Sequence, residues 1–336
     1  MLNVSADTDL ESKLAAVLAR ARPGTNGVRN LRRLSGGATQ ETWSFEAVRD
    51  ETAVPLILRR APRAFQGEER QAIGLAAEAL LIGLAHEAGV PVPQIETVLQ
   101  PSDDMGEGFV AQFIDGETLG GRIARDPKFA DARKTLAFAC GETAARIHAI
   151  PAERLTVLKR LPPRTRFDEL FRRYKVDGTP RPVFSLAFEW LRMRIPPEPQ
   201  ALKLVHGDFR NGNLIVGPDG LRAVLDWELA HLGDPIEDLG WMCVGSWRFG
   251  AIDRPAGGFG RREDLLAGYA SGGGTAPRRE HLTFWEVFGS LNWGIMCSAM
   301  APVFTSGLDP TVERAMIARR VSETEIDLLN HILPRS

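Results

Sequence analysis

The sequence predicts an α+β protein of two lobes: an N-terminal antiparallel sheet with a helix, then a larger, mainly helical C-terminal lobe. Three observations carry this reading. Before residue 114, several short runs alternate apolar and polar residues, the period of a strand. After residue 121, nearly every apolar run has helical spacing. The one break in that helical half, residues 202–226, sets three short apolar stretches around a dense polar motif.

Taken in order, residues 8–21 read as an amphipathic helix. "VRNLRRL" and "ETWSFEAV" flank a Gly-containing turn, "SGGATQE", and the second run puts Trp43, Phe45 and Ala47 on one face. "AVPLILRR" at 53–60 is a shorter, more buried strand. Residues 68–89 form a helix with Ala77, Leu80, Leu81 and Leu84 on one side, ended by Gly89 and the breaker "VPVP". Strands at about 94–100 and 108–114 enclose the polar turn "PSDDMGEG". This makes 1–114 one lobe and 115–336 the other, with a hinge at about 110–117 and "DGETLGG" as the linker. Helices are expected at 128–149, 165–176, 183–194, 235–246, 261–271, 278–300 and 310–332, with loops at 250–260 and 271–277.

Composition narrows the function classes. The 336 residues are 44% hydrophobic and 25% charged with a net charge of −2, which gives no reason to expect nucleic acid or a membrane surface as partner. Cys140, Cys243 and Cys297 are odd in number, far apart and set among apolar residues. They fit reduced thiols of a cytoplasmic protein better than a disulfide framework or a zinc site. The first twenty residues carry early acids and no apolar signal core. Residues 287–308 are uncharged and long enough to span a bilayer, but Ser, Asn, Gly, Thr and Pro302 interrupt them, so a buried helix followed by a loop is expected.

The polar motif is "LVHGDFRNGNLIV", residues 204–216. Asp, Asn and Gly are the residues of tight turns, so a plain turn between two strands is one reading. A catalytic loop is the other. A hydrolase metal site using His206, His231 and Asp234 is a third, disfavoured because nothing else in the chain has zinc-ligand spacing.

Together, "HGDFRNGNLIV" and "AVLDWELAHLGDPIEDLGW" resemble the signature of the aminoglycoside phosphotransferase and choline kinase-like family, which shares the protein kinase fold. The wording "ELAHLGDPIEDL" is most similar to the phosphotransferase domains related to those fused to acyl-CoA dehydrogenases, and the resemblance covers about residues 30–250. It implies ATP and Mg²⁺ as cofactors and a small-molecule hydroxyl as acceptor. Phosphoryl transfer needs a carboxylate near that hydroxyl, to orient it and accept its proton, and the resemblance puts Asp208 there. Mg²⁺ prefers hard oxygen ligands. Asn213 and Asp226 are the implied ligands, Asp226 within "DWE" where protein kinases have "DFG". His206, Glu228 and Asp238 are supporting residues: His206 braces the loop, Glu228 approaches the metal through water, and Asp238 caps the loop backbone.

In the first lobe the match is looser. Ser35, Gly36 and Gly37 occupy the place of a phosphate-covering loop, where glycine lets backbone N–H groups approach an anion, though a ligand-free hairpin turn explains them equally well. Arg59 stands where protein kinases carry a phosphate-binding Lys, with Glu78 as its implied partner. Backbone around Gln112 and Ile114 is the expected adenine contact.

Residues 159–198 hold ten Lys and Arg against five Asp and Glu, which does not suit a polycationic antibiotic. A neutral or anionic metabolite such as a hydroxyacyl thioester is the expected acceptor, and Trp241, Trp247, Phe249, Trp285 and Trp293 are candidates for an apolar pocket. An aminoglycoside kinase is the alternative within enzymes. A protein kinase is disfavoured because helix-like sequence begins about ten residues after Asp226. A nucleotide-binding pseudokinase is the alternative of another class.

Overall fold

A computed structural model of the chain describes residues 4–34, 40–50, 52–61, 73–177 and 179–333, and among these the chain forms two compact units. The N-terminal unit comprises Met1–Asp115 together with Arg222–Leu229; the C-terminal unit comprises Gly116–Leu221 and Ala230–Ser336. The short return segment matters, because it assigns Asp226 and Glu228 to the N-terminal unit.

The N-terminal unit contains α1 (Val4–Ala21), β1 (Gly27–Leu34), β2 (Glu41–Arg49), β3 (Thr52–Ala61), α2 (Leu75–Glu87), β4 (Ile95–Val98) and β5 (Glu107–Gln112). The strands form one antiparallel sheet in the order β1-β2-β3-β5-β4. Trp43 stands opposite Leu58 and Phe45 opposite Leu56, so the alternating residues of both strands bury on one face. There they meet Leu10, Leu14, Val17 and Leu18, the apolar stripe of α1. Arg59 points to the opposite face, and α2 packs against β3, β4 and β5.

The buried face of α2 is Leu75, Glu78, Ala79, Ile82 and Ala85, with Leu81 and Leu84 beside it. Leu80, expected on that face, is 45% exposed. A charged residue occupies the stripe instead, because Glu78 has a cationic partner in β3. The helix stops at Gly89, whose φ of 72° is left-handed, and the Val90 N–H closes the end on the Ala85 carbonyl.

The C-terminal unit holds α3 (Gly120–Arg125), α4 (Arg133–His148), α5 (Pro163–Asp177), α6 (Pro182–Arg192), β6 (Lys203–Val205) and β7 (Leu214–Gly217), then, after β8 (Gly220–Val224), whose residues up to Leu221 belong to this unit and from Arg222 to the other, β9 (His231–Gly233), α7 (Ile236–Met242), α8 (Arg262–Ser271), α9 (Arg279–Thr305), α10 (Val312–Ala318) and α11 (Val321–Ile332). β6 and β9 pair antiparallel, Val205 opposite His231. Helix α9 runs through the core with Phe284, Trp285, Phe288, Leu291 and Ile295 buried. By length and composition it could cross a membrane, and half of its most apolar window is buried.

Several expected boundaries move: the helix expected at 68–89 begins at Leu75, and the one expected at 128–149 begins at Arg133. Helix α9 continues through Pro302 to Thr305, although a proline there supplies no N–H to the hydrogen-bond ladder. The expected helix 310–332 is two helices, broken around Arg319 and Arg320. The expected helix 235–246 ends at Met242, and a 3₁₀ turn follows at Gly245–Arg248. Helices α4 and α8 approach closely through glycine: a Cβ on Gly141 would lie 2.0 Å from the Leu265 carbonyl oxygen, and one on Gly268 would lie 1.9 Å from that of Phe138. This contact fixes Tyr269 of α8 against His148 of α4.

Candidate active site

In the C-terminal unit the site is a loop held by a buried aspartate. Strand β6 ends at Val205 and the chain turns at Gly207, whose φ is 82°. Asp238, at the first turn of α7 and fully buried, accepts the His206 N–H (2.8 Å) and the Gly207 N–H (2.9 Å). Behind it, His148 Nε2 lies 3.0 Å from the same carboxylate, and His148 Nδ1 lies 2.9 Å from the Tyr269 hydroxyl. Because a carboxylate only accepts, Nε2 carries the proton. The backbone of loop residues His206 and Gly207 is therefore fixed by a chain of three side chains, Asp238, His148 and Tyr269, from three helices.

This anchoring presents Asp208. Its N–H donates to His206 Nδ1 at 3.2 Å, which is how His206 braces the loop. Its carboxylate is gripped from both sides. Oδ1 accepts from Trp241 Nε1 (2.7 Å) and Arg210 Nε (2.9 Å); Oδ2 accepts from Asn213 Nδ2 (2.5 Å). The Arg210 guanidinium stacks 4.3 Å from the ring of Trp247, which packs edge-on to Trp241. Neighbouring Asn211 ties the loop to α3 by donating to the Gly120 and Gly257 carbonyls. Asn213 also donates to the Asp208 carbonyl, and among the described residues its own Oδ1 accepts no hydrogen bond. A free amide oxygen beside a fixed carboxylate suits a hard cation.

In the N-terminal unit the centre is Arg59. Its Nη1 lies 3.0 Å from Glu78 Oε1, and its Nη2 lies 2.8 Å from Asp226 Oδ1 and 3.8 Å from Glu228 Oε2. Its Nε donates to Gln40 Oε1 at 2.7 Å, and Gln40 Nε2 passes the network on to Glu228 at 3.1 Å. Asp226 has a φ of 68°, a left-handed conformation that costs a non-glycine residue energy and turns its carboxylate onto Arg59. Burial pushes the Glu78 carboxyl up to about 7 against the pull of Arg59, and the charges of Asp226 and Glu228 push the same way as burial. Burial opposes the charge on Arg59, but its three carboxylates overcome this and raise its pKa.

Asp226 Oδ2 has no hydrogen bond among the described residues, so it fits a cation as Asn213 Oδ1 does. Among those residues no three His, Cys, Asp or Glu form a metal-binding group; the Asn213 amide oxygen in the C-terminal unit and the Asp226 carboxylate in the N-terminal unit are each hard oxygen donors of the kind Mg²⁺ prefers. At the expected adenine contact, the Gln112 N–H already donates to the Gln94 carbonyl at 2.9 Å, whereas the Ile114 N–H has no partner among the described residues. Ser35, Gly36 and Gly37 lie outside the described residues.

Sequence reasoning offered Trp241 only as an aromatic of an apolar pocket, not as a donor to Asp208, and missed Arg210 and Gln40. Arg210 lay inside the quoted motif, and an arginine two residues from the expected base was the available signal. Nothing local marks Gln40 or the donor role of Trp241, whose contacts are made by the tertiary fold.

A family model described as "Phosphotransferase enzyme family" matches residues 30–276, a span that contains both groups of residues. The chain belongs to the phosphotransferase enzyme family, APH. As an APH phosphotransferase it is similar to acyl-CoA dehydrogenase family member 10 of Mus musculus (31% identical) and member 11 of Gallus gallus (34%). These matches cover 47% and 46% of this chain but 15% and 21% of the relatives, so this APH chain corresponds to a fraction of those longer proteins. Among solved structures, a Ralstonia eutropha protein described as an aminoglycoside phosphotransferase superposes with a TM-score of 0.74 at 18% identity, covering 96% of this chain and 97% of that one. Macrolide 2'-phosphotransferase MphH from Brachybacterium faecium gives 0.62 at 20%, covering 96% and 99%. Spectinomycin phosphotransferase APH(9)-Ia, solved with ADP and spectinomycin, gives 0.64 at 13%, covering 94% and 98%. At these identities the likeness establishes the fold, the two-lobed kinase-like fold of the APH enzymes.

Proposed function

We propose that this phosphotransferase is an ATP- and Mg²⁺-dependent kinase that transfers the γ-phosphate to a hydroxyl of a neutral or anionic metabolite, such as a hydroxyacyl thioester. The observation that carries the reading is the Asp208 carboxylate, held by Trp241, Arg210 and Asn213 on a loop whose backbone Asp238 caps. A carboxylate so fixed can orient an acceptor hydroxyl and take its proton as the oxygen attacks phosphorus. Trp241 and Arg210 then hold the oxygen that does not take the proton. Arg59 supplies a planar guanidinium for phosphate oxygens, positioned by Glu78 and Gln40. Mg²⁺, held by Asn213 and Asp226, would neutralise the phosphate charge.

Two observations favour an acceptor unlike an aminoglycoside: the basic excess of residues 159–198, and the relatives named for acyl-CoA dehydrogenases. The test is transfer of label from γ-labelled ATP, with Mg²⁺, to a panel of aminoglycosides, choline-like alcohols, sugars and hydroxyacyl-CoA esters, with Asp208→Ala as blank. Label on a hydroxyacyl ester, abolished by the substitution, is the expected result. Efficient labelling of an aminoglycoside would overturn the acceptor assignment. Nucleotide binding without transfer or hydrolysis, unchanged by Asp208→Ala, would overturn the kinase in favour of a binding module.

A further inference from the structure

Arg210 carries more donors than its place on Asp208 uses. Its Nε donates to Asp208 Oδ1 at 2.9 Å, and its Nη1 reaches the Asn211 carbonyl at 3.4 Å. Its Nη2 donates to nothing among the described residues. Trp241, the other donor to Oδ1, differs in this respect, because an indole has one N–H and Asp208 takes it. A neutral donor of that kind is enough for a brace. A guanidinium brings a charge and a second edge of N–H groups besides.

That second edge is held in place. The guanidinium lies over the ring of buried Trp247, 4.3 Å from its centroid. Gly212 leaves room for it: a Cβ there would lie 2.5 Å from Arg210 Nη1, and the φ of 115° at Gly212 favours glycine. The Arg210 side chain is nevertheless 23% exposed and that of Asp208 13%, so both can be reached from solvent. A cation fixed by Asp208 and Trp247 thus keeps one edge open beside the proposed base.

The chemistry of transfer brings an anion to that edge. An acceptor hydroxyl held by the Asp208 carboxylate lies about 2.7 Å from it, and phosphorus has to come to roughly 3–3.5 Å from the attacking oxygen. The non-bridging oxygens of the phosphoryl group then stand beside the groups that share the carboxylate. They are negative and so is Asp208, and a cation is needed to offset their repulsion.

We infer that Arg210 is a catalytic residue that donates from Nη2 to a non-bridging oxygen of the transferring phosphoryl group while its Nε stays on Asp208. The inference rests on the kinase reading above. The new bond joins the acceptor oxygen to the γ-phosphorus. The bond from that phosphorus to the oxygen bridging it to the β-phosphorus breaks, ADP leaves with the electron pair, and the acceptor proton passes to Asp208 Oδ2. Arg210 keeps its own protons throughout. It acts by charge and by hydrogen bonds aimed where the phosphoryl oxygens stand in the transition state.

Arg210→Gln keeps an N–H donor for Oδ1 and removes the charge, whereas Arg210→Lys keeps the charge. Both are assayed in the full chain, with Mg²⁺, for label transfer from γ-labelled ATP to the acceptor that the panel identifies or to water. Calorimetry measures binding of ADP and Mg²⁺, with and without fluoroaluminate, a mimic of the phosphoryl group in transfer. Thermal melts confirm folding of each variant. In Arg210→Gln, kcat is expected to fall roughly a hundredfold with KM for ATP changing by less than about threefold. In Arg210→Lys, kcat is expected to fall no more than about tenfold. Fluoroaluminate should tighten ADP in wild type, and Arg210→Gln should abolish that tightening while ADP alone binds as before. A residue that only braces Asp208 would give similar kcat in Arg210→Gln and Arg210→Lys, with the tightening intact in both. That result, in a wild type that transfers label, would overturn the inference and leave the kinase reading standing. A wild type that neither transfers label nor tightens ADP with fluoroaluminate would overturn both.

Discussion

The indole N–H of Trp241 donates to Oδ1 of Asp208 at 2.7 Å, joining α7 to the loop that follows β6. A hydrogen bond to a charged group contributes about 1.5–3 kcal/mol. Phe at this position keeps the ring packing on Trp247 and removes the donor. Trp241→Phe is expected to lower kcat roughly tenfold in the phosphotransfer assay, on the scale of 1.4 kcal/mol per decade, with AMP-PNP affinity unchanged. An unchanged kcat would mean that Arg210 and Asn213 suffice to orient the carboxylate.

Asp238 is the keystone of the same loop. Asp238→Ala leaves the His206 and Gly207 N–H groups and the His148 ring without their acceptor in a buried place. Each such group costs about 1–3 kcal/mol. The expected loss is about 3–5 kcal/mol, or roughly 10 °C in Tm at about 2–4 °C per kcal/mol, measured by calorimetry.

Arg59 and Glu78 form a buried pair whose halves are unequal, since Glu78 is 1% exposed and Arg59 reaches two further carboxylates. Arg59→Met strands the carboxylate and is expected to destabilise by about 3–5 kcal/mol. Arg59→Met combined with Glu78→Leu should recover much of that stability in urea melts without restoring ATP affinity. Additive losses in the double variant would contradict the pairing.

Glu237 supplies the pH dependence. Burial pushes its carboxyl up, but Arg166 and then His231 overcome this and hold it at about 2. A depressed folded-state pKa stabilises above the unfolded value of about 4.5 and loses that contribution as pH falls toward 2. Thermal melts from pH 6 to pH 3 should therefore show wild type losing stability faster than Glu237→Gln, so that the gap between them narrows with acid. A constant gap would show that the ion pair does not set the acid limit.

Gly268→Ala tests the α4–α8 contact. Its Cβ would lie 1.9 Å from a backbone oxygen, which no side-chain rotation relieves. A loss of about 2–3 kcal/mol is expected from forced separation of the helices, with a matching fall in activity because Tyr269 and His148 part. Wild-type melting and activity in Gly268→Ala would rule out that dependence.

The sequence made the 204–216 loop conspicuous by its many hydrogen-bonding groups between two apolar runs, but the roles of Asp208, Asn213 and, outside the loop, Asp238 came from the family resemblance. Trp43, Phe45 and Ala47 were legible from strand period alone. Trp241 was visible as an aromatic residue but not as a donor, because its partner lies 33 positions away and only the fold joins them. The same holds for Gln40, 188 residues from Glu228. Leu80 misled because a helical stripe was read from hydrophobicity, whereas Glu78 takes the buried position once Arg59 faces it. The break between α10 and α11 carries no glycine or proline and left no local sign.

The segment Arg222–Leu229 belongs to the N-terminal unit although the chain has left that unit at Asp115. A nascent chain therefore emerges with β1 to β5 and α2 complete but with Arg59 lacking Asp226 and the Glu228 carbonyl that accepts the Ile73 N–H. The intervening stretch 116–221 has to be synthesised before that unit can close, and closing so long a loop slows folding more than it weakens the product. The N-terminal unit thus matures late, and a fragment ending at Asp115 would carry the Arg59–Glu78 pair without the carboxylates that complete it.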